Sequence, residues 1–172
     1  NTKQNNSTID KGEKWEYIHQ NKHMKASDIM QKKVAYVTPE TSLQSASKII
    51  FGKSHMGLPV VARKTKRLVG FITDQDILSQ CFPSINEYLE DIVHAGNFLE
   101  MEKKLKEIME LKVKDVMNRQ VIYAQKDDPL LKIESMMKLK DIARLPIVDS
   151  KKRLIGILTK RDIFRALVGK YF

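Results

Sequence analysis

A threonine followed three residues later by an aspartate occurs twice in this chain, and these residues are the best suited to bind a ligand. The copies are Thr73-x-x-Asp76 and Thr159-x-x-Asp162. A hydroxyl at a helix N-terminus suits a phosphate, because free amides and the helix dipole favour an anion there. An aspartate one turn further can accept two hydrogen bonds from a vicinal diol, such as that of a ribose. The alternative is a pair of ordinary helix N-caps.

The motif belongs to a longer duplication, since the segments around it recur in the same order. Both copies contain an Asp-apolar-Met run, a strand with a central proline, and a run that begins with arginine and ends at the threonine. The corresponding segments are residues 26–30 and 113–117, 57–61 and 144–148, and 67–73 and 153–159. The turn before the last segment is one residue shorter in the second copy. The chain therefore consists of two repeats.

Each repeat is predicted to fold as β-α-β-β-α. An extended stretch, residues 34–37 or 121–124, precedes a segment whose apolar residues recur at helical spacing. In the second repeat, Asp128 and Pro129 predict the cap and the first position of that helix. Two β-branched runs around a basic turn predict adjacent strands, and the threonine begins the closing helix. We therefore expect an α+β fold in which the two repeats pack as a pseudo-twofold module.

A helical insertion is predicted between the repeats, and it fixes the expected domain boundaries. Ser84-x-x-Glu87 is typical of a helix start, apolar residues then recur every three or four positions, and Gly96-Asn97 indicates a break. The expected parts are a polar N-terminal tail (1–23), the first repeat (24–82), the insertion (83–111) and the second repeat (112–172).

Composition argues against a membrane-spanning, a secreted or a metal-binding protein. The chain has 172 residues, of which 42% are hydrophobic, and no run approaches the roughly 20 apolar residues of a membrane helix. The first residues lack the apolar stretch of a secretory signal, and the one cysteine, Cys81, cannot form an internal disulfide. We therefore expect a cytoplasmic protein. The four histidines lack the spacing of a metal site apart from His19-x-x-x-His23, which has no acidic or cysteine partners, so no metal site is predicted.

The ordered motifs of both repeats resemble the CBS domain family (cystathionine β-synthase domains), and their tandem arrangement resembles a CBS pair, or Bateman module. The resemblance covers residues of about 24 to 80 and 111 to 169. It implies a regulatory module, not an enzyme, that binds an adenosine-containing ligand between the repeats and needs no cofactor. The candidate ligands are AMP, ADP, ATP, a cyclic dinucleotide or S-adenosylmethionine. It further implies a homodimer and a protein partner under its regulation.

The resemblance also assigns residues to two ligand sites. In both sites, the aspartate is expected to hold the ribose and the threonine to hold the phosphate. The adenine is expected to contact residues of the other repeat. The first site comprises Asp162, Thr159, Arg144, Lys160, Arg161, Met30, Ala35 and His55. The second comprises Asp76, Thr73, Met117, Ile122 and Ile142. We expect the first site to be stronger, because its three basic residues correspond to Gly57, Asp74 and Gln75 in the first repeat.

Other functions compete with a ligand sensor. The net charge of +10 favours polyanionic partners, so a nucleic-acid-binding protein that uses the CBS pair as a scaffold is the main alternative. Aromatic residues make up only 7% of the chain, which argues against base stacking on a basic face. The basic clusters 63–67 and 151–153 are also typical of solvated hairpin turns. Because the chain begins with Asn1, it is also consistent with a detached regulatory part of a transporter, channel or larger enzyme.

Overall fold

The computed structural model describes residues 24–52, 56–80 and 98–169. In chain order, the helices and strands are α1 (Ala26–Ile29), α2 (Leu43–Gly52), β1 (Gly57–Val61), β2 (Leu68–Thr73), α3 (Asp74–Ser79), α4 (Phe98–Glu110), α5 (Val113–Val116), β3 (Ala124–Gln125), α6 (Leu130–Leu139), β4 (Arg144–Val148), β5 (Leu154–Thr159) and α7 (Lys160–Val168).

These elements fall into two units, and each unit takes segments from both repeats. The described residues of the Thr159 unit lie within Asn1–Lys33, Tyr123–Asp149 and Ile155–Phe172. Those of the Thr73 unit lie within Val34–Ile122 and Ser150–Leu154. The short helix that opens each repeat therefore belongs with the final strand and helix of the other repeat.

In the Thr159 unit, a three-stranded sheet has the order β3-β4-β5. Strand β3 pairs parallel with β4, with Ala124 opposite Ile147. Helix α6 contacts β4 and α7, and α7 also contacts α1. The apolar side chains at helical or alternating spacing are the buried ones, as expected for elements with one face in a core. The largest of those with less than 2% exposure are Leu130, Ile133, Met137, Leu145, Ile147, Leu158 and Ile163.

In the Thr73 unit, β1 and β2 form an antiparallel hairpin in which Gly57 lies opposite Thr73. Val37 adds a parallel bridge to Val60 of β1. Helix α2 packs on β1, α3 and α4, and α5 packs on β2. The buried core of this unit consists of Val37, Leu43, Ala46, Ile50, Leu58, Val60, Ile72, Ile77, Ile108, Val113 and Met117.

The α+β class and the repeated order of a helix, two strands and a closing helix are confirmed. The extended stretches are shorter than expected: the first is a single bridge at Val37, and the second is the two-residue β3. The predicted cap of α6 was wrong by one position, since Pro129 is the N-cap. The carboxylate of Asp128 instead accepts from the Gln125 N–H at 2.8 Å and from Lys132 Nζ at 2.7 Å.

Several sequence predictions fall outside the described ranges. These are the tail with His19 and His23, residue His55, and Cys81 with residues 82–97 of the predicted insertion. Helix α4 begins directly after Gly96-Asn97. Among the helices that are described, none combines the length and apolar character needed to cross a membrane. In the same residues, no group of three or more His, Cys, Asp or Glu side chains could hold a metal ion.

Candidate functional site

Both Thr-x-x-Asp motifs form capping boxes at the start of the closing helices. Thr159 Oγ1 accepts from the Asp162 N–H at 3.1 Å, and Asp162 Oδ2 accepts from the Thr159 N–H at 2.9 Å. In the first repeat, the corresponding distances for Thr73 and Asp76 are 3.0 and 2.8 Å. Each threonine hydroxyl also donates to its aspartate Oδ2 at 2.7 Å. Each hydroxyl proton is therefore already used, so a phosphate would rely on other donors at the helix start.

A methionine from the other repeat packs against the strand that leads into each box. A Cβ built on Gly156 of β5 would clash with Met30 Sδ and lie 2.9 Å from its Cγ. A Cβ built on Gly70 of β2 would lie 2.5 Å from Met117 Sδ. Only glycine lets the methionine approach this closely, because any larger residue would occupy the same space. The repeated glycine thus brings Met30 next to the strand of Thr159, and Met117 next to that of Thr73.

The residue after each methionine is fixed to the same strand by two backbone hydrogen bonds. Gln31 N donates to Ile157 O at 3.0 Å, and Ile157 N donates to Gln31 O at 3.1 Å. Asn118 and Phe71 exchange the equivalent pair, both at 2.9 Å. The side chains differ: Gln31 Nε2 donates to Asp162 Oδ2 at 2.9 Å and Oδ1 at 3.2 Å, whereas Asn118 Oδ1 accepts from the Gln120 N–H at 2.8 Å.

The two helix starts also differ in charge. In α3, the Asp74 carboxylate accepts from the Gln75 N–H at 2.9 Å, so an internal anion already occupies this helix N-terminus. In α7, the corresponding residues are Lys160 and Arg161, and the Arg161 N–H has no acceptor among the described residues. Two cations at a helix N-terminus are unfavourable for the helix dipole. The exposed carboxylate of Asp141, 3.9 Å from Lys160 Nζ, offsets part of this penalty, and an external anion at the start of α7 would offset more of it.

The start of β4 lies beside the start of α7, because Lys160 N donates to Ala143 O at 3.1 Å. Arg144, the next residue, is half-buried and begins β4. In the first repeat, Asp74 N and Met56 O form the matching contact at 3.4 Å. A side chain at Gly57 would not fit, since a Cβ there would lie 2.8 Å from Ile72 O and 2.7 Å from Phe71 Cε1. The first repeat therefore cannot place a basic residue where the second has Arg144.

The structure places the predicted site residues in the two units as follows. The Thr159 unit contains Asp162, Thr159, Arg144, Lys160, Arg161 and Met30, together with Ile142, which was assigned to the other site. The Thr73 unit contains Asp76, Thr73, Met117 and Ile122, together with Ala35. His55 lies outside the described residues. Each aspartate thus shares a unit with the methionine assigned to it.

Sequence reasoning missed Gln31 as a partner of Asp162. Its recurring position, directly after the Asp-apolar-Met run in both copies, was a signal, because the second copy also has an amide residue there. It also missed that the two basic turns meet within the Thr73 unit. Arg67 and Arg153 form an antiparallel bridge, and a cavity of about 650 Å³ beside them is lined by Lys64, Thr65, Arg67, Ser150, Lys151, Lys152 and Arg153.

Comparison with known proteins identifies the family of both repeats. The model of the CBS domain matches residues 26–82 and 113–169. A curated relative, the inosine-5′-monophosphate dehydrogenase of Methanocaldococcus jannaschii, is 34% identical over 87% of this chain. The match covers only 25% of that enzyme and runs through its CBS domains. The chain spans between 24% and 45% of the length of the first curated relatives that it matches.

Two solved structures similar to this chain contain adenosine ligands. The first is CBSX2 in complex with AMP, which has a TM-score of 0.65 and 25% identity over 86% of this chain and 98% of that one. CBSX2 is a CBS-pair protein from Arabidopsis thaliana. The second is the CBS pair of protein MJ0100 in complex with 5′-methylthioadenosine and S-adenosyl-L-methionine, with a TM-score of 0.60 and 27% identity over 86% of this chain and 98% of that one. This chain belongs to the CBS domain family, and it carries two such domains in tandem.

Proposed function

We propose that this protein is a regulatory module that binds an adenosine-containing ligand. The observation that carries the proposal is the Asp162 box: a helix-capping carboxylate lies in the same unit as three basic residues and Met30. The Arg161 N–H of the same helix start has no acceptor among the described residues. A ribose diol would bind the carboxylate, and the phosphate would bind the α7 start through the Arg161 N–H and the side chains of Lys160 and Arg144. The AMP, 5′-methylthioadenosine and S-adenosylmethionine bound to the similar structures support this class of ligand.

The Asp76 box is the weaker site in this proposal. Asp74 places a negative charge where a phosphate would bind, and its carboxylate already accepts from the Gln75 N–H. Ala35, Ile122 and Ile142 remain proposed adenine contacts.

Regulation follows if the ligand binds one conformation of the pair better than another, because binding then shifts the population toward that conformation. A homodimer and a regulated protein partner complete the proposal. The proposal includes no catalytic step, and the cytoplasmic location stays a prediction from the sequence.

Thermal unfolding with AMP, ADP, ATP, cyclic di-AMP and S-adenosylmethionine tests the proposal. A ligand at 100 times its Kd stabilises the folded state by about 2.7 kcal/mol. For a chain of this size the melting temperature should rise by roughly 5–11 °C. The rise should disappear in Asp162→Asn and persist in Asp76→Asn. The control is Asp28→Asn, because Asp28 closes a similar capping box, accepting from the Lys25 N–H at 2.8 Å, without belonging to the proposed site.

Binding of a polyanion is the second candidate function, and the cavity at the paired turns favours it. Five of its seven lining residues are basic. Backbone hydrogen bonds from Leu68 N to Lys152 O at 2.9 Å and from Leu154 N to Lys66 O at 3.0 Å hold these like charges together. A single-stranded nucleic acid bound there should lose affinity steeply with salt, with a logarithmic slope of about −0.7 for each phosphate contacted. Anisotropy titrations in which Lys64→Ala/Lys151→Ala leaves this slope unchanged would exclude the cavity.

A further inference from the structure

The side-chain amide of Gln31 occupies the carboxylate that the proposed ligand needs. It donates to Asp162 Oδ2 at 2.9 Å and to Oδ1 at 3.2 Å, so its nitrogen bridges both oxygens. Oδ2 also accepts from the backbone and the hydroxyl of Thr159. A carboxylate offers about four lone-pair positions in all. A diol that binds both oxygens would therefore have to take the place of the Gln31 amide.

The Asp76 site provides a natural comparison. Asn118 holds the position equivalent to Gln31 and makes the same backbone pair with its strand. Its shorter side chain turns back to accept from the Gln120 N–H. Asp76 Oδ2 accepts from Thr73 alone, and no donor to Asp76 Oδ1 is found in residues 24–52, 56–80 and 98–169. The two sites thus share a backbone geometry and differ in whether an internal donor covers the aspartate.

We propose that Gln31 sets the affinity and the sugar specificity of the Asp162 site, because a ligand must displace its amide to reach the carboxylate. This inference rests on the proposed function, in which Asp162 binds a ribose diol. Displacement exchanges one pair of hydrogen bonds for another and returns the amide to water. Because the Gln31–Asp162 bonds are exposed to solvent, the cost is that of a typical net hydrogen bond and not the larger one of a buried bond to a charged group. Gln31 therefore weakens the binding of diol-bearing ligands by roughly three- to tenfold. A ligand without the diol leaves the amide in place and escapes this cost.

The weakening of ligand binding by Gln31 opposes the advantage that the Asp162 site gains from its basic residues. Lys160, Arg161 and Arg144 attract the phosphate to the Asp162 site, while Gln31 penalises the sugar there. At the Asp76 site both effects have the opposite sign. The charge of Asp74 opposes a phosphate, and the Asn118 side chain makes no hydrogen bond to the Asp76 carboxylate. The ratio of the two affinities thus depends on two terms that can be changed separately: the charge at the helix start and the side chain that follows the methionine.

Calorimetric titration with AMP and with 2′,3′-dideoxy-AMP tests the inference. Asp76→Asn protein isolates the Asp162 site, and Gln31→Ala and Gln31→Asn are added to it. Gln31→Ala should bind AMP roughly three- to tenfold more tightly and change dideoxy-AMP affinity by less than about twofold. The matched control is Asn118→Ala in Asp162→Asn protein, where AMP affinity should stay within about twofold. Gln31→Asn should show part of the gain, because its side chain is one methylene shorter.

Each outcome separates this inference from the proposed function. AMP binding that is unchanged or weaker in Gln31→Ala overturns the inference and leaves the proposed function standing, as does an equal gain for dideoxy-AMP. If neither AMP nor any other ligand of the thermal unfolding series binds the parent or either Gln31 variant, the proposed function and the inference are overturned together. Nitrogen NMR gives a second readout: AMP should move the Gln31 side-chain amide resonances toward their positions in ligand-free Asp162→Ala protein.

Discussion

Replacing Gly156 by alanine tests how the two repeats interlock within the Thr159 unit. The new Cβ would lie 2.9 Å from Met30 Cγ and 3.2 Å from Met30 Cβ, besides clashing with its sulfur. The end of a methionine side chain moves easily, but its Cβ does not. The backbone cannot slide away either, because Gln31 and Ile157 exchange two hydrogen bonds. We therefore expect the methionine to leave its place on β5.

The expected cost is that of overpacking, about 1–3 kcal/mol. At about 2–4 °C per kcal/mol, a loss of about 2 kcal/mol lowers the melting temperature by about 4–8 °C. Thermal unfolding of Gly156→Ala, Met30→Ala and the double variant measures the coupling directly. Because the clash needs both side chains, the double variant should be more stable than the sum of the single effects predicts, by about 1–2 kcal/mol.

Gly52→Ala is the matched control, since a Cβ at Gly52 has no atom within 4 Å. In a helix, this change should leave the melting temperature unchanged or raise it slightly, because alanine favours the helix by roughly 0.5–1 kcal/mol. A Gly156→Ala protein as stable as the wild type would refute the close approach of Met30. If Gly156→Ala destabilises Met30→Ala protein as much as it destabilises the wild type, the loss does not come from a clash with Met30.

Three further predictions concern the charge at Asp74, the pH dependence of stability at Asp128 and the lack of room for a side chain at Gly57. Asp74→Lys should free the Gln75 N–H and add a cation, strengthening AMP binding at the Asp76 site by about five- to tenfold in a calorimetric titration; unchanged affinity would show that Asp74 does not set the difference between the sites. Burial raises the pKa of Asp128, but hydrogen bonds from Lys132 and the Gln125 N–H and the charge of Lys132 outweigh it and hold the pKa below its ordinary value of 3.8. A lowered pKa in the folded state stabilises the protein above pH 3.8, and this contribution is lost as the pH falls through the folded-state pKa. Urea unfolding should therefore show Asp128→Asn less stable than the wild type at pH 7, with the gap closing in acid; a constant gap would contradict this. Gly57→Ala should destabilise by at least about 1–3 kcal/mol, because the atom it meets at 2.8 Å is the backbone oxygen of Ile72; a neutral result would show that β1 can shift.

Local sequence rules predicted the features that depend on neighbouring residues. The Thr-x-x-Asp pattern predicted both helix starts, because a capping box is formed within four consecutive residues. The basic runs between β-branched segments predicted the β1–β2 turn for the same reason. The alignment of the repeats and the family resemblance placed Met30 with Asp162, and Met117 with Asp76.

Features that join distant parts of the chain were not predictable by these rules. The Gln31 amide reaches Asp162 across 131 positions, and nothing in the local sequence fixes which rotamer it takes. The bridge between Arg67 and Arg153 brings together turns that carry the same charge, against the preference of like charges to separate. At Asp128 the error was local: its carboxylate accepts from the Gln125 N–H and from Lys132, three and four residues away, instead of capping α6.

Whether Asp162 and Asp76 hold the ligand is measured by the number of AMP molecules bound and by the aspartate on which each of them depends. Calorimetric titration of wild type, Asp162→Asn, Asp76→Asn and the double variant measures both, with Asp115→Asn as the control for a lost cap, since Asp115 accepts from the Lys112 N–H at 3.0 Å. We predict that Asp162→Asn abolishes the tighter binding event, that Asp76→Asn removes at most a weaker one, and that Asp115→Asn removes neither. AMP binding that survives in the double variant would contradict the account, because neither carboxylate would then hold the ligand.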